Sequence, residues 1–306
     1  MLLSVVTSVY RTAQFLESFA SRVDTAARSR GLIDYEMIFV VDGSPDDAIA
    51  VLRQLKSRYP AIRAIELSRN FGHHPALWCG LEQARGDLIF LADSDLETPP
   101  EILIDLHAAL ADGDTDVAFA WQRRRAGTWL RRRTSQAFWR AFSGLAEVRI
   151  HPDALTERLM RRRYVDALLQ LNERALFLGG MMEWVGFRQT PVPATRTPRE
   201  GRPSYSWPRR AALAFDAITS FSVVPMKALF LAGAGLAAVA MLGALLLVAL
   251  KLANPGFIVR GFTALAVLLL FSLGSILAAM GMVGLYLGKV FLQTKNRPLY
   301  VIRREI

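Results

Sequence analysis

The stretch DLIFLADSDLETPPEIL (87–103) places three signals in direct succession. An apolar run, DLIFLA, is typical of a buried strand when polar residues bound it. Two carboxylates follow at Asp93 and Asp95, and the Pro-Pro-Glu after them is typical of a helix start. The stretch therefore predicts a strand, an acidic turn and a helix, which is the repeating unit of an α/β sheet.

The same alternation extends over residues 1–120, where strand-like apolar runs are separated by helical ones. The predicted strands are LLSVVTSV (2–9), YEMIFVV (35–41), AIRAIEL (61–67), DLIFLA (87–92) and DVAFAW (116–121). Strands that alternate with helices predict a mostly parallel sheet in the Rossmann-like class.

The pattern changes beyond residue 128. Helices are predicted near 128–145 and 155–172, and a short strand in WVGFRQTPV (184–192). Residues 194–208 are rich in Pro, Gly and Arg and are typical of a loop. The amphipathic run RRAALAFDAITSFSVV (209–224) is expected to lie at a membrane surface.

Two long uncharged stretches, Ala228–Leu250 and Gly261–Gly288, complete this part of the chain. A spanning helix needs about 20 apolar residues, so both are predicted to cross a membrane; a buried hairpin of a soluble protein is the alternative. The connector between them has few basic residues, whereas the flanking parts have many. The positive-inside rule therefore predicts both termini in the cytoplasm and the connector outside.

Composition narrows the function classes. The 306 residues have a net charge of +10 and 52% hydrophobic residues, and the mean hydropathy is +0.25. Basic runs favour anionic partners. Because predicted membrane spans follow, we expect the anionic partner to be a membrane surface and not nucleic acid.

Other features exclude particular kinds of site and protein. The single cysteine, Cys79, excludes an internal disulfide. The predicted spans lack Asp, Glu, Lys, Arg and His, which argues against a transporter, and no GxGxxG follows the first strand, which argues against a nicotinamide site.

The carboxylate pair predicts a cation site. Ligands of open α/β sheets bind beyond the carboxyl ends of the strands, and two nearby carboxylates repel unless a positive charge joins them. Mg²⁺ or Mn²⁺, shared with substrate phosphates, is the usual partner; a surface acid pair is the alternative. Asp42, at the end of the second strand, is placed to meet a nucleotide base or ribose, or forms a simple turn. We expect a structural role for the adjacent His73 and His74.

The order of motifs VVTSVY, FVVDGSPDD, LSRNFGHHPAL and LADSDLETPPE is similar to that of the polyprenyl-phosphate glycosyltransferases of the family-two GT-A type. These include dolichol-phosphate mannose synthases and bacterial undecaprenyl-phosphate (bactoprenol) sugar transferases. The resemblance continues through ERLMRRRYVDAL, NERALFLGGMMEWVGF, TRTPREGRPSYS and ITSFSVVPMK and covers nearly the whole chain.

The resemblance implies an inverting hexosyltransferase that moves a sugar from a nucleotide diphosphate, most often a UDP-hexose, to a membrane polyprenyl phosphate with Mg²⁺ or Mn²⁺. It implies a protein of the bacterial inner membrane that takes part in the modification of envelope glycans. The oligomeric state is left open, with a homo-oligomer as one option. The implied organisation is a GT-A catalytic domain (1–208), a juxtamembrane helix (209–226) and a two-helix anchor with a cytoplasmic tail (227–306).

Site residues follow from the motifs. The resemblance implies that Asp93 and Asp95 hold the metal. The implied catalytic residues are Asp95, Asp153, Arg158, Arg196, Arg199 and Arg202. The implied nucleotide-binding residues are Thr7, Val9, Tyr10, Asp42, Arg69, Asp93 and Ser94. Ser204 and Tyr205 are expected to shape the arginine loop.

Some positions depart from the family pattern. Arg11 and Thr12 stand where Asn and Glu are usual, and Thr156 stands where many bacterial members have a second Asp before Arg-Leu-Met. A general base is therefore left unassigned, although an acceptor phosphate needs little or none. A catalytically silent, nucleotide-sugar-binding membrane protein is the alternative.

Overall fold

The computed structural model describes residues 1–111, 113–122, 151, 153–171, 173–174, 176–196, 224–253 and 261–306. The helix predicted near 128–145 and nearly all of the surface helix (209–224) lie outside these residues. The chain divides into two compact units, one of Met1–Ser143, Val148–Ser206 and Asn296–Ile306, the other of Gly144–Glu147 and Trp207–Lys295.

The first unit is built on an eight-stranded mixed sheet. Its strands are β1 (Leu3–Val9), β2 (Tyr35–Val41), β3 (Ile62–Leu67), β4 (Leu88–Leu91), β5 (Val117–Gln122), β6 (Ala154–Arg161), β7 (Gln189–Ala194) and β8 (Ile302–Glu305). Their order is β7-β5-β6-β4-β1-β2-β3-β8. The central strands β3, β2, β1 and β4 are parallel, so their carboxyl ends meet at one edge.

Helices cover the sheet and join its strands. They are α1 (Leu16–Ser29), α2 (Ala48–Arg58), α3 (His73–Gln83), α4 (Ile102–Ala109), α5 (Arg162–Leu169) and α6 (Leu178–Trp184). Helix α1 shows the physical basis, because Leu16, Phe19, Ala20 and Val23 recur at helical spacing and are fully buried. Helix α3 lies very close to β1, since a Cβ on Gly80 would be only 2.3 Å from Val6 Cγ1.

The helix predicted near 155–172 is wrong in its first half. Residues Ala154–Arg161 form β6, which pairs antiparallel with both β4 and β5, and the helix begins only at Arg162. In β6, Leu159 and Met160 are both buried although they point to opposite faces of the sheet. A strand buried on both faces resembles a buried helix in sequence, and only the place between β4 and β5 distinguishes the two.

The C-terminal tail adds a strand to the same sheet, which the sequence analysis did not anticipate. Strand β8 pairs antiparallel with β3, and the amides of Ala64 and Ile306 exchange hydrogen bonds of 3.1 and 2.8 Å. Arg63 bridges Glu36 and Glu305, each at 2.9 Å. The tail thereby covers the edge of β3, which would otherwise present unpaired backbone groups.

The second unit contains two long helices, α7 (Val224–Ala253) and α8 (Phe262–Thr294). At 1.5 Å per residue, α8 is about 50 Å long. Of the described residues, one segment, Phe271–Thr294, is long and apolar enough to cross a membrane, with a mean hydropathy of 1.7. Large apolar side chains on both helices, such as Phe230, Leu252 and Met280, are exposed.

Candidate active site

The acidic turn after β4 lies at the carboxyl edge of the parallel strands. Leu96 has a φ of +61°, which is unusual for a branched residue and typical of a turn under constraint. Asp95 stabilises this turn, since its Oδ1 accepts a hydrogen bond of 3.0 Å from the Glu97 amide. The predicted pair of carboxylates is therefore held in a defined backbone conformation.

A cavity of about 120 Å³ opens beside this turn, large enough for a hydrated cation. It is lined by Asp93, Asp95, Glu97, Thr98, Ala154, Leu155, Thr156, Glu157 and Arg196. The turn after β4, the start of β6 and the segment after β7 thus meet here, although they are far apart in the sequence. Four carboxylates face one guanidinium, so the lining has an excess of negative charge.

The cavity residues fit a divalent cation. Burial raises the pKa of Asp93, and the charge of Asp95 raises it further, while His73, the Thr156 hydroxyl and Arg196 act in the opposite direction. Asp93 Oδ1 is shielded from solvent and accepts no hydrogen bond within the described residues. A cation held by the two carboxylates would relieve the repulsion between Asp93 and Asp95.

The site would be an open one. Within the ranges that the structure describes, no group of three or more His, Cys, Asp or Glu side chains is arranged to hold a metal ion unaided. Asp93 and Asp95 would therefore supply part of the coordination sphere and leave positions for water and substrate phosphates, as is common for Mg²⁺.

Glu157 is a cavity residue that the sequence analysis missed. It is 3% exposed, and burial together with the neighbouring charge of Asp93 raises its pKa to about 7, against hydrogen bonding from Thr98 and the charge of Arg196. Thr156 stands where an acid is usual, and the acid of this chain is its direct neighbour. The sequence shows that Thr156 and Glu157 are neighbours. It does not show that they belong to a strand that starts at the cavity, and the role of Glu157 depends on that strand.

Replacing Glu157 with Gln is expected to stabilise the metal-free protein above pH 7. Because the folded pKa is raised from 4.5 to about 7, the carboxyl group favours the folded state at low pH, and this contribution is lost as the pH rises through that window. The expected gain at pH 8 is about 2 kcal/mol, or several degrees in Tm. Thermal melting of the full chain in detergent with EDTA, at pH 5 and pH 8, measures it.

The matched control is Glu17→Gln, since Glu17 is exposed and its carboxylate lies 3.2 Å from the Arg58 guanidinium. It should change Tm little at either pH. An equal change for Glu157→Gln at both pH values would contradict the inferred raised pKa.

Asp42 fastens β2 to the loop that precedes α3. Its two carboxylate oxygens accept hydrogen bonds from the amides of Phe71 (2.7 Å) and Gly72 (2.9 Å), and burial raises its pKa. Gly43 has a φ of +57°, and a Cβ there would be 2.4 Å from the amide nitrogen of Asn70. This position therefore requires glycine, and the loop is packed directly against it.

The other predicted nucleotide-binding residues lie at the same edge of the sheet in different environments. Thr7, Val9 and Ser94 are buried, and Ser94 Oγ donates to the Ser8 carbonyl at 2.9 Å. Tyr10 is 43% exposed, and the Arg69 guanidinium lies 4.1 Å from the centre of the Phe71 ring. The three buried residues have almost no exposed surface, and all these nucleotide-binding roles stay predictions.

The predicted catalytic residues separate into groups. Arg196 lines the cavity, and its Nε donates to Glu97 Oε2 at 2.6 Å. Arg158 is buried, 4.0 Å from Glu183, with its guanidinium carbon 5.5 Å from the centre of the Phe119 ring. Neither Arg158 nor Asp153 is among the described residues that line the cavity. The remaining predicted residues, Arg199, Arg202, Ser204 and Tyr205, lie outside the described residues.

His73 joins the site from another direction. Its Nδ1 is 2.8 Å from Ser8 Oγ and its Nε2 is 3.5 Å from Asp93 Oδ1. His74 matches the expected structural role, with its Nδ1 3.2 Å from the Leu176 carbonyl oxygen and its ring beside Phe177. The two histidines therefore have different environments.

Known proteins resemble this fold and this sequence. The structure of mannosyl-3-phosphoglycerate synthase from Rubrobacter xylanophilus matches with a TM-score of 0.51 and 16% identity, over 71% of this chain and 72% of that one. This likeness concerns the fold alone and confirms the Rossmann-like α/β arrangement of GT-A type.

The sequence relatives cover most of the chain. An undecaprenyl-phosphate 4-deoxy-4-formamido-L-arabinose transferase of Enterobacter sp. (strain 638) is 31% identical over 99% of this chain and 93% of its own length. A prophage-derived bactoprenol glucosyl transferase of Shigella flexneri is 32% identical, over 89% and 88%. An uncharacterized glycosyltransferase of Synechocystis sp. is 35% identical, over 98% and 94%.

Residues 4–169 match the family described as Glycosyl transferase family 2. This range contains the parallel core of the sheet, the acidic turn after β4 and the whole of β6, which together form most of the cavity. Because the match covers more than half of the chain and relatives above 30% identity align along nearly all of it, the chain is a glycosyltransferase that belongs to glycosyl transferase family 2.

Proposed function

We propose that this glycosyltransferase transfers a hexose from a UDP-hexose donor to a polyprenyl phosphate in the membrane, with inversion at the anomeric carbon. The observation that supports this best is the cavity in which Asp93, Asp95 and Arg196 meet at the carboxyl edge of the sheet. The names of the Enterobacter and Shigella relatives support a polyprenyl-phosphate acceptor.

The division of work within the site follows from charge. Asp93 and Asp95 would hold Mg²⁺ or Mn²⁺, which when bound neutralises charge on the leaving diphosphate. Arg196 is suited to a phosphate because its guanidinium stays charged and offers parallel donors. The acceptor phosphate is a nucleophile at neutral pH, so positioning it in line with the anomeric carbon replaces the need for a strong base.

A transfer assay tests this function directly. The full chain in detergent, given a radiolabelled UDP-hexose, Mn²⁺ and undecaprenyl phosphate, should form a labelled lipid only when the acceptor is present. A panel of UDP-sugars and GDP-mannose identifies the donor. Binding of a nucleotide sugar without either transfer or hydrolysis would support the alternative, a catalytically silent binder.

We also propose that both α7 and α8 cross the membrane and that the catalytic unit and both termini are cytoplasmic. The tail supports this, because β8 belongs to the same sheet as β1, so the chain between them crosses an even number of times. The segment Phe271–Thr294 is long and apolar enough for one crossing, and among the described residues α7, with 30 residues, is a long apolar helix that would supply the other.

Reporter fusions are expected to show this topology. A reporter after Ile306 should be active in the cytoplasm, and one inserted at residues 254–256 should be active on the opposite side of the membrane. Alkaline phosphatase and green fluorescent protein fusions at both sites measure it, each protein serving as the control for the other. A cytoplasmic signal at both sites would contradict the two-span proposal.

A further inference from the structure

His73 connects two elements of the active-site edge that are remote in the sequence. It is the first residue of α3, Ser8 is near the end of β1, and Asp93 follows β4. The Ser8 hydroxyl lies 2.8 Å from Nδ1, and Asp93 Oδ1 lies 3.5 Å from Nε2. Both ring nitrogens are thus directed at polar atoms, one on each side.

The backbone fixes where this ring can lie. Gly72, with a φ of +107°, donates its amide to Asp42, so the entry into α3 is held by β2. The His73 side chain is 45% exposed and would otherwise sample other rotamers. The bond to Ser8 selects the one that faces Asp93.

Asp93 in turn lacks a donor on that side. The Thr156 hydroxyl donates to its carboxylate from β6, while Oδ1 is shielded from solvent and accepts no hydrogen bond within the described part of the chain. The 3.5 Å to His73 Nε2 is slightly longer than a normal hydrogen bond, and a small movement of either side chain would close it.

We propose that His73 is a positioning residue for Asp93: with Ser8 donating to Nδ1, the Nε2–H group donates to Asp93 Oδ1 and orients the carboxylate toward the cation. This rests on the proposed function of Asp93 as a metal ligand. Ligating carboxylates are generally oriented by such outer hydrogen bonds, whose loss lowers metal affinity by about 10- to 100-fold.

Two substitutions distinguish the two ring nitrogens. Gln places its amide nitrogen near the position of Nε2, whereas Asn places it near that of Nδ1. His73→Gln should therefore keep the contact with Asp93, and His73→Asn should lose it. His107→Asn, on α4, is the matched control, and Ser8→Ala tests the other end of the chain of contacts.

The measurement is Mn²⁺ affinity of the full chain in detergent with UDP, by calorimetry and by electron paramagnetic resonance. His73→Asn is expected to raise the Mn²⁺ Kd by about tenfold, His73→Gln and His107→Asn by less than about threefold. Ser8→Ala should weaken binding severalfold, and Ser8→Ala with His73→Asn should be no weaker than His73→Asn alone, because both act through one contact.

The inference would be overturned by an unchanged Mn²⁺ Kd in His73→Asn, by additive losses in the double variant, or by imidazole nitrogen coupling to Mn²⁺, which would make His73 a direct ligand. A wild-type protein that binds no Mn²⁺ would overturn it as well. Because the measurement requires no transfer, a protein that binds Mn²⁺ but transfers no sugar would count against the proposed function alone.

Discussion

Asp95→Ala is expected to abolish sugar transfer, with a loss of at least about 1,000-fold, which corresponds to roughly 4 kcal/mol in the barrier. Asp93→Ala should cause a similarly strong loss. Both carboxylates line the cavity and would hold the cation, so that without either one the cation that neutralises the leaving diphosphate would bind weakly. Initial rates of lipid-linked sugar formation with saturating Mn²⁺ measure the effect.

Asn separates chemistry from folding at this position. Asp95 also accepts a hydrogen bond from the Glu97 amide, so Asp95→Ala removes both this contact within the turn and a negative charge. Asp95→Asn keeps an oxygen for that amide and should still lose most activity while retaining the wild-type Tm. Asp105→Asn, at an acidic residue of α4, is the control.

Removal of the metal tests the same site without a substitution. EDTA should inactivate the wild-type protein reversibly. Full activity in EDTA would contradict the proposal that Asp93 and Asp95 hold a cation that transfer requires.

Arg196→Ala is expected to lower transfer by about 10- to 1,000-fold, or roughly 1.4–4 kcal/mol. Arg196 is the one residue of the predicted arginine group among the described residues, and it lines the cavity beside Glu97. A guanidinium can bind two phosphate oxygens at once, so Arg196→Lys should recover little activity. The same assay, in neutral detergent with a short-chain polyprenyl phosphate, measures both variants.

The rival explanation is that the arginine segment only adheres to anionic lipid, at about 1 kcal/mol per basic residue. In that case Lys would restore activity fully, and neutral detergent would hide the defect of Arg196→Ala. Glu97→Gln is an informative companion variant, because it removes the partner of Arg196 and leaves the guanidinium in place. Binding of UDP with Mn²⁺ should persist in Arg196→Ala, since Asp93 and Asp95 are unchanged.

Much of the fold could be predicted from local patterns. The strands β1 to β5 coincide closely with the predicted apolar runs, because a parallel strand buried on both faces must be apolar along its length. The place of Asp93 and Asp95 after β4 followed from the same run and the prolines behind it. The short strand predicted in 184–192 overlaps β7 (Gln189–Ala194).

Other parts depended on contacts between distant segments. Strand β6 was predicted as a helix, since its pairing with β4 and β5 is invisible in a local window. The edge strand β8 was not predicted at all, because Ile302–Glu305 is short and charged and is ordered by β3 and its acidic residues. The nucleotide-binding role of Asp42 stays a prediction, whereas its two hydrogen bonds with amides of the loop before α3 depend on the tertiary structure.

The sequence by itself determined the α/β class, the acidic turn, the apolar character of the C-terminal stretches and the family, because these depend on residue order and periodicity. The tertiary structure alone decided which side chains share the cavity. Glu157 and Arg196 reach Asp93 because β6 starts, and β7 ends, at the edge of the sheet where β4 ends. His73 reaches it because α3 starts there, and such proximity is a property of chain packing that no sequence spacing encodes.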